Sequence, residues 1–340
     1  MGETYNVRLE PVGIEFEVDE DETVLKGAFR QGLMLMHGCK EGQCAACKSF
    51  LLDGEVDLDS YSNFALNDFE KDEGWTLLCR AHAISDLEIE LINYDEEILR
   101  SGVPEQTEEL TVETLEPLTH DIYRLVLDAT ELSYRPGQYV DIQIPGSEDV
   151  RSFSMANLPN GKLEFMIKAY PDGRFSGLLA GGELETGHRL TVTGPYGVFT
   201  LRRTSDRPLL FIGGGAGMAP ILALLRALAD EGSPRPAVFY YGARGPQDLF
   251  HLEELRELEQ RLPNFRFVPA LSDSETDAGW DGERGLITDV VSRCEADVSG
   301  MDAYLCGPPP MVDAAIAMLD AEGVPEDRVF YDKFTTTAPN

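Results

Sequence analysis

Apolar and polar positions alternate with a period of two over residues 5–9 and again at Ile14, Phe16 and Val18, with Pro11 and Gly13 between the runs. That pattern predicts a β-hairpin. From Thr23 the period lengthens. Val24, Leu25, Ala28 and Phe29 mark one face of a helix that Thr23 can cap and Gly32 can end. Residues 37–48 then lose any period and hold Gly38, Gly42 and three cysteines. Residues 86–91 alternate once more, which predicts a strand with one face in water. The stretch 95–109 is charged, lacks an apolar period and contains Gly102 and Pro104, so it reads as a linker.

Beyond it, strand-like runs at 110–114, 122–127, 139–144, 163–168 and 189–193 are separated by Pro-Gly, Pro-Asp-Gly and Gly-Pro turns. Repeated short strands with such turns predict an antiparallel barrel. From Arg207 the texture changes to short apolar strands, at 209–212, 237–241, 265–269 and 303–305, alternating with helical stretches. That alternation belongs to a parallel, doubly wound sheet. Residues 208–225 carry no charge over 18 positions, long enough to suggest a membrane span. Gly213, Gly214, Gly215, Gly217 and Pro220 break the run, so it reads as a buried strand, turn and helix.

The chemistry concentrates in four motifs. Cys39, Cys44 and Cys47, with Cys79 further on, form C-x4-C-x2-C…C, the spacing of a plant-type 2Fe-2S cluster held by four thiolates. The small residues Gly38, Gly42, Ala45 and Ala46 let the backbone wrap closely and aim N–H groups at sulfur. Structural zinc sites prefer closely paired ligands, and here the first pair is spaced too wide while Cys79 has no neighbour. Cys294 reads as an inert thiol.

The second motif is Arg151-Ser152-Phe153-Ser154, taken with Gly173-Arg174-Phe175-Ser176. It offers a guanidinium for bidentate phosphate contact, helix-initiating amides for a pyrophosphate, and an aromatic that can lie against a flat ring. The third, Gly213 to Pro220, follows a strand and opens a helix, as a dinucleotide turn requires. It departs from the usual G-x-G-x-x-G by ending in Pro220, and the next strand closes on Gly242, Ala243 and Arg244 without the acidic ribose ligand. No Gly-Lys-Ser/Thr follows, which excludes a P-loop. The fourth, Cys306-Gly307-Pro308-Pro309-Pro310, lies at the carboxyl end of a sheet strand, where open α/β folds bind ligands.

In this order, the cluster loop CKEGQCAACK, the run RSFSMANLPNGKLEFMIKAYPDGRFS and the ending VFYDKF resemble the reductase component of a multicomponent oxygenase. Within that class the chain is most similar to reductases of soluble di-iron monooxygenases of the methane, propane and alkene type. The resemblance implies a multi-domain α+β and α/β chain: a β-grasp 2Fe-2S ferredoxin domain over 1–96, a linker over 97–108, an antiparallel β-barrel FAD domain over 109–204, and a doubly wound parallel-sheet NAD domain over 205–340. It implies Cys39, Cys44, Cys47 and Cys79 as cluster ligands. Arg151, Phe153, Ser154, Lys168, Gly173, Phe175 and Ser176 would bind flavin, and Gly213, Gly215, Gly217, Pro220, Arg244, Gly307 and Pro308 the nicotinamide dinucleotide. Cys306 would sit beside the nicotinamide, Phe334 would shield the flavin ring until nicotinamide replaces it, and these two with Ser154 would be the catalytic residues. An N-terminal ferredoxin goes with FAD rather than FMN in this family. Without a cluster of cations for a 2′-phosphate the resemblance favours NADH over NADPH, although Arg244 keeps NADPH open.

Composition sharpens the choice of partner. The 340 residues contain 28 Lys and Arg against 61 Asp and Glu, a net charge of −33, which argues against nucleic acid and anionic membranes as partners. The excess is densest in residues 1–100, with 23 acidic and 8 basic side chains. The start MGETYNVRLE does not read as a secretory leader, so a cytoplasmic location is expected. A single E-x-x-H, Glu185 to His188, is too little for a di-iron bundle, and no Cys-x-His marks a Rieske centre. The expected partner is therefore a separate di-iron hydroxylase, with NADH as donor and the chain monomeric when free. The alternatives are a reductase for a Rieske-type dioxygenase and a redox-sensing module without turnover.

Overall fold

The computed structural model describes residues 2–129, 131–170, 172–273 and 279–334. They divide into two compact units, one running to Thr107 with Thr193–Val198, the other comprising Glu108–Val192 and the chain from Phe199.

In the first unit, β1 (Thr4–Glu10) and β2 (Ile14–Asp19) form the expected hairpin, and Thr23 caps α1 (Val24–Arg30) by accepting the Lys26 N–H at 3.3 Å. The cap matters because the first helical N–H groups have no partner within the helix. There follow β3 (Lys48–Asp53), β4 (Val56–Leu58), α2 (Asp68–Asp72), β5 (Trp75–Leu77), β6 (Ala81–Ala83), β7 (Leu87–Glu90) and α3 (Glu96–Arg100). The main sheet runs β2-β1-β7-β3-β5, with β1 and β7 parallel and α1 packed on it through Val24, Leu25, Ala28 and Phe29. This is the β-grasp arrangement. The charged stretch read as a linker contains α3, capped by Asp95 and seated through buried Ile98 and Leu99. Two apolar residues seat one helical turn but are too few to display a period.

The chain continues with β8 (Gln106–Pro117), β9 (Ile122–Asp128), β10 (Tyr139–Gln143), β11 (Val150–Ser154), β12 (Lys162–Lys168), α4 (Arg174–Ala180) and β13 (Arg189–Tyr196). These strands make a six-stranded barrel-like sheet ordered β11-β10-β13-β8-β9-β12. Its interior is filled by Val112, Leu125, Leu127, Val140, Ile142, Leu163, Phe165 and Val192.

The second sheet of this unit uses β14 (Leu209–Gly214), β15 (Ala237–Ala243), β16 (Phe265–Leu271), β17 (Glu283–Arg284), β18 (Asp302–Gly307) and β19 (Val329–Lys333), alternating with α5 (Met218–Asp230), α6 (Leu252–Arg261), α7 (Ile287–Cys294) and α8 (Pro309–Ala321). It is parallel throughout, in the order β17-β16-β15-β14-β18-β19. The winding reverses between β14 and β18, and in such sheets ligands bind at the carboxyl ends of the strands flanking that reversal. The uncharged run 208–225 leads from Pro208 through β14 and a glycine turn into the first part of α5, and all of it but Pro208 and Gly215 is buried. Among the described residues no helix is long and apolar enough to cross a membrane. One apolar cluster joins barrel residues Ile122, Ala156, Met166, Phe199 and Leu201 to Phe211, Leu222, Leu225 and Tyr304 of the nucleotide sheet.

Candidate functional site

The loop between α1 and β3 has no regular structure, because its backbone is bent around sulfur. Lys40, Gly42 and Ala45 all have positive φ, at 58°, 70° and 59°. Left-handed conformations at Lys and Ala are unfavourable and persist where function requires them. The Cys39 N–H donates to Cys44 Sγ at 3.3 Å, and the Glu41 and Gln43 N–H groups donate to Cys39 Sγ at 3.4 and 3.2 Å. A Cβ on Gly38 would lie 3.0 Å from Cys44 Sγ, so this glycine gives the sulfur its room. The four thiols form two hydrogen-bonded pairs: Cys44 draws the Cys39 thiol below its usual range, and Cys79 does the same to Cys47. None of the four is in a disulfide. Within each pair one thiol is drawn toward the thiolate while its partner, Cys44 or Cys79, is pushed up by the shared hydrogen bond and by burial. Four converging sulfurs with backbone amides aimed at them fit a 2Fe-2S cluster, which would be held by Cys39, Cys44, Cys47 and Cys79.

Arg151 lies on β11, partly exposed, with Nη1 donating to the Val150 carbonyl at 2.7 Å. Two residues on, Phe153 rests against Phe175, ring centroids 5.0 Å apart. Phe175 itself is 2% exposed inside the barrel core, so it props Phe153 and presents no open ring face. Gly173 begins α4, and a Cβ there would stand 2.1 Å from Ser176 Oγ; the Ser176 hydroxyl accepts the Tyr170 N–H at 3.1 Å. Of the Pro-Asp-Gly turn preceding α4, Pro171 lies outside the described residues. Lys168 is taken up in a 2.6 Å ion pair with Asp121. The guanidinium of Arg174 pairs with Asp149.

At the sheet's reversal point two turns interlock. A Cβ on Gly217 would sit 2.2 Å from the Cys306 carbonyl oxygen, and one on Gly307, where φ is +146°, would sit 2.8 Å from the Gly214 oxygen. Only glycine permits this approach, which brings the β14 turn and the β18 turn to one crevice. Gly215 takes φ +56°, its carbonyl accepts the Tyr241 hydroxyl at 3.2 Å, and Pro220 is buried in the first turn of α5. Pro308 precedes α8 as its N-cap, and Arg244 stands exposed just past β15.

Cys306 is fully buried and lies between Gly213 of β14 and Asp332 of β19 in the register of the sheet. Burial and the adjacent Asp332 charge push its thiol well above the usual range, so it stays neutral. The Ser154 hydroxyl lies 3.5 Å from Asp332 Oδ2, linking the barrel to the same strand end. Burial raises the Asp332 carboxyl to about 6, against a smaller opposing effect of the Ser154 hydrogen bond. The Phe334 N–H donates to the Gly307 carbonyl at 3.0 Å, which holds the backbone at that residue beside the turn. Ser154, Cys306 and Phe334, separate in the sequence, thus share one locality. Asp332 is the member that sequence reasoning missed. Its only signal was an acidic residue inside the otherwise apolar-aromatic ending VFYDKF.

Three family models match the chain in turn: 2Fe-2S iron-sulfur cluster binding domain over residues 7–83, oxidoreductase FAD-binding domain over 109–201, and oxidoreductase NAD-binding domain over 211–316. The propane 2-monooxygenase reductase component of Mycolicibacterium goodii is 51% identical over 99% of both chains. The chain belongs to the family of monooxygenase reductase components. The phenol 2-monooxygenase reductase component DmpP of Pseudomonas sp. (strain CF600) is 36% identical, covering 98% of this chain and 96% of its own. Among solved structures, the Amycolatopsis cytochrome P450 reductase GcoB superposes with a TM-score of 0.88 at 31% identity, covering 98% of this chain and 99% of its own. As a reductase component, the chain is an oxidoreductase that moves electrons from NAD(H) through FAD and a 2Fe-2S cluster to the hydroxylase of an oxygenase.

Proposed function

We propose that this reductase delivers electrons from NADH to a di-iron hydroxylase of the propane-oxidising type, acting as a monomer in the cytoplasm. The observation that carries the reading is the step in identity: 51% to the propane 2-monooxygenase reductase component of Mycolicibacterium goodii against 36% to the phenol one and 32% to the toluate 1,2-dioxygenase electron transfer component of Pseudomonas putida. We assign residues 1–96 to the ferredoxin domain, 97–108 to the connection, 109–204 to the FAD domain and 205–340 to the NAD domain.

When bound, the flavin converts a two-electron hydride donor into single electrons that a cluster can carry, and the protein's part is to position each carrier. Arg151 is placed for the flavin pyrophosphate, with Gly173 and Ser176 completing that cradle. Phe153, propped by Phe175, and Ser154 contact the ring system. The turn from Gly213 to Pro220 and the turn at Gly307 and Pro308 take the dinucleotide. Cys306 would lie beside the nicotinamide, and Phe334 would shield the flavin ring face from water. Lys168, held by Asp121, supports the barrel wall rather than meeting the cofactor directly. Arg244, exposed just past β15, is the one Lys or Arg in residues 236–255, and a single guanidinium there favours NADH over NADPH.

The test mixes the purified holoprotein and NADH with hydroxylase components of each class. Rapid reduction of a di-iron hydroxylase, with kcat/KM for NADH well above that for NADPH, is expected. Reduction of a Rieske dioxygenase in its place would overturn the reading.

A further inference from the structure

The ferredoxin unit presents two aromatic side chains to water that neither the cluster nor the nucleotide site uses. Phe64 is 84% exposed and Phe69 is 71% exposed. Single exposed apolar residues are ordinary, but these two stand five residues apart, so at most roughly 18 Å of chain separates them. Independent bonds tie each of them to the cluster loop. The Ser62 N–H donates to the Gly42 carbonyl at 3.0 Å, and Phe64 follows with its own N–H on Ser62 Oγ at 3.2 Å. Gly42 leans on this loop so closely that a Cβ would come within 2.8 Å of Tyr61 Cβ. Phe69 rides on α2, which a reciprocal Asn67–Glu70 capping box holds in place. Glu70 also receives Lys48 Nζ at 2.7 Å, one residue beyond the ligand Cys47. Between the two aromatics Ala65 and Leu66 are fully buried, so the segment is pinned and both rings are presented on a firm support.

The cluster's own exposure points the same way. Cys47 and Cys79 are buried, Cys39 is partly exposed and Cys44 is exposed. An electron therefore has its shortest way out through the loop from Cys39 to Cys44, against which the segment from Asp59 to Phe64 rests. In the same stretch of chain Asp57, Asp59, Asp68, Asp72 and Glu73 are exposed, Asp59 paired with Arg80 at 3.4 Å, and Lys71 is the one cation in residues 53–73. An apolar centre ringed by charge is the anatomy of a docking surface. Its sign selects the occupant. A second copy of this chain, at a net −33, would be repelled, as would an anionic lipid surface.

We propose that Phe64 and Phe69 form the apolar centre of the surface on which the oxygenase's hydroxylase docks to take electrons from the cluster, its face being an apolar pocket rimmed by Lys and Arg. The proposal rests on the electron-delivery reading above. The experiment uses the full holoprotein, the propane-type di-iron hydroxylase, and the variants Phe64→Ala, Phe69→Ala and the double variant. Both side chains are exposed, so the cluster's visible spectrum and the NADH-driven bleaching of flavin and cluster in the isolated chain should match the unaltered protein. The KM for the hydroxylase should rise about tenfold for each loss, as for aromatic anchors at interface centres, with kcat at saturating hydroxylase retained. Asp68→Lys with Asp72→Lys should flatten the salt dependence of that KM. An unchanged KM in the double variant overturns the proposal. So does slower cluster bleaching with an unchanged KM, which would assign the aromatics to transfer within the chain. An unaltered protein that reduces no hydroxylase overturns the functional reading first, and the docking surface with it.

Discussion

At the scale of single residues, the grouping of Cys39, Cys44, Cys47 and Cys79 was legible because a cluster-type motif imposes spacing on the chain itself. Cys39, Cys44 and Cys47 lie within one loop, and their small neighbours announce how tightly the backbone must turn. Asp332 was not legible, because its role depends on the register of β18 with β19 and on a partner, Ser154, 178 positions away. Its environment leads to a prediction with a definite sign. The folded chain raises this carboxyl to about 6, mainly by burial, whereas an unfolded chain titrates it near 3.9. Between those values the native state binds more protons than the unfolded one, so Asp332 makes stability fall as pH rises from about 4 through about 6. Asp332→Asn removes the charge that must be accommodated above that range. It should raise the thermal midpoint more at pH 7.5 than at pH 5, followed by flavin fluorescence on heating. An equal shift at both pH values would show that Asp332 does not titrate in this window.

At the scale of elements, the run from Leu209 to the end of α5 was readable because an apolar strand, a glycine turn and a helix follow each other without interruption. The strands β4, β5 and β6, three residues each, and the five-residue α2 were not, since so short a segment completes no period. Their positions come from pairings such as β4 with β6 and from caps such as Asn67, which only the folded chain displays. The glycine turn is also where an element-scale substitution is most informative. Gly217→Ala would place a methyl group 2.2 Å from the Cys306 carbonyl oxygen and within 2.8 Å of Gly307. Both are backbone, so β18 must move. Overpacking of this kind costs about 1–3 kcal/mol. The expected result is a lower thermal midpoint together with a raised KM for NADH, while the visible spectrum of the cluster, housed in the other compact unit, stays unchanged. A normal KM for NADH would mean that the two turns need not touch to bind the dinucleotide.

At the scale of the whole molecule, domain order and charge distribution were legible, whereas the grip between barrel and nucleotide sheet was not, since it uses residues far apart in the chain. The division into two compact units predicts separable chemistry: Cys79→Ser should abolish the cluster's visible absorbance while NADH still bleaches the flavin. The second unit should behave differently, as one cooperative body, because its two sheets share an apolar cluster and a partly buried charge network. Arg226 of α5 donates to Glu164 of β12 at 2.8 Å, to the Ala156 carbonyl at 2.8 Å and to Glu254 of α6 at 2.7 Å. Burial opposes ionisation of Glu254, but hydrogen bonds from His251 and Arg226 outweigh it and hold the carboxyl at about 2; Glu164 is depressed in the same sense by Arg226 and Arg124. Carboxyls depressed by folding contribute stability that is present above their unfolded value, near 4.3, and is lost as pH falls through the folded one. Arg226→Met keeps the apolar stem and removes the charge, leaving two carboxylates facing each other across the interface. Breaking a fully buried pair from one side costs about 3–5 kcal/mol; with Arg226 and Glu254 partly exposed, a smaller cost, about 2–3 kcal/mol, applies. Denaturant unfolding at pH 7 should show a loss of that order, and the acid limb between about pH 4 and pH 2 should become shallower, since Arg226's share of the depression is lost and only Arg124 and His251 still hold the carboxyls down. A loss at neutral pH with the acid limb unchanged would place the role of Arg226 in packing alone.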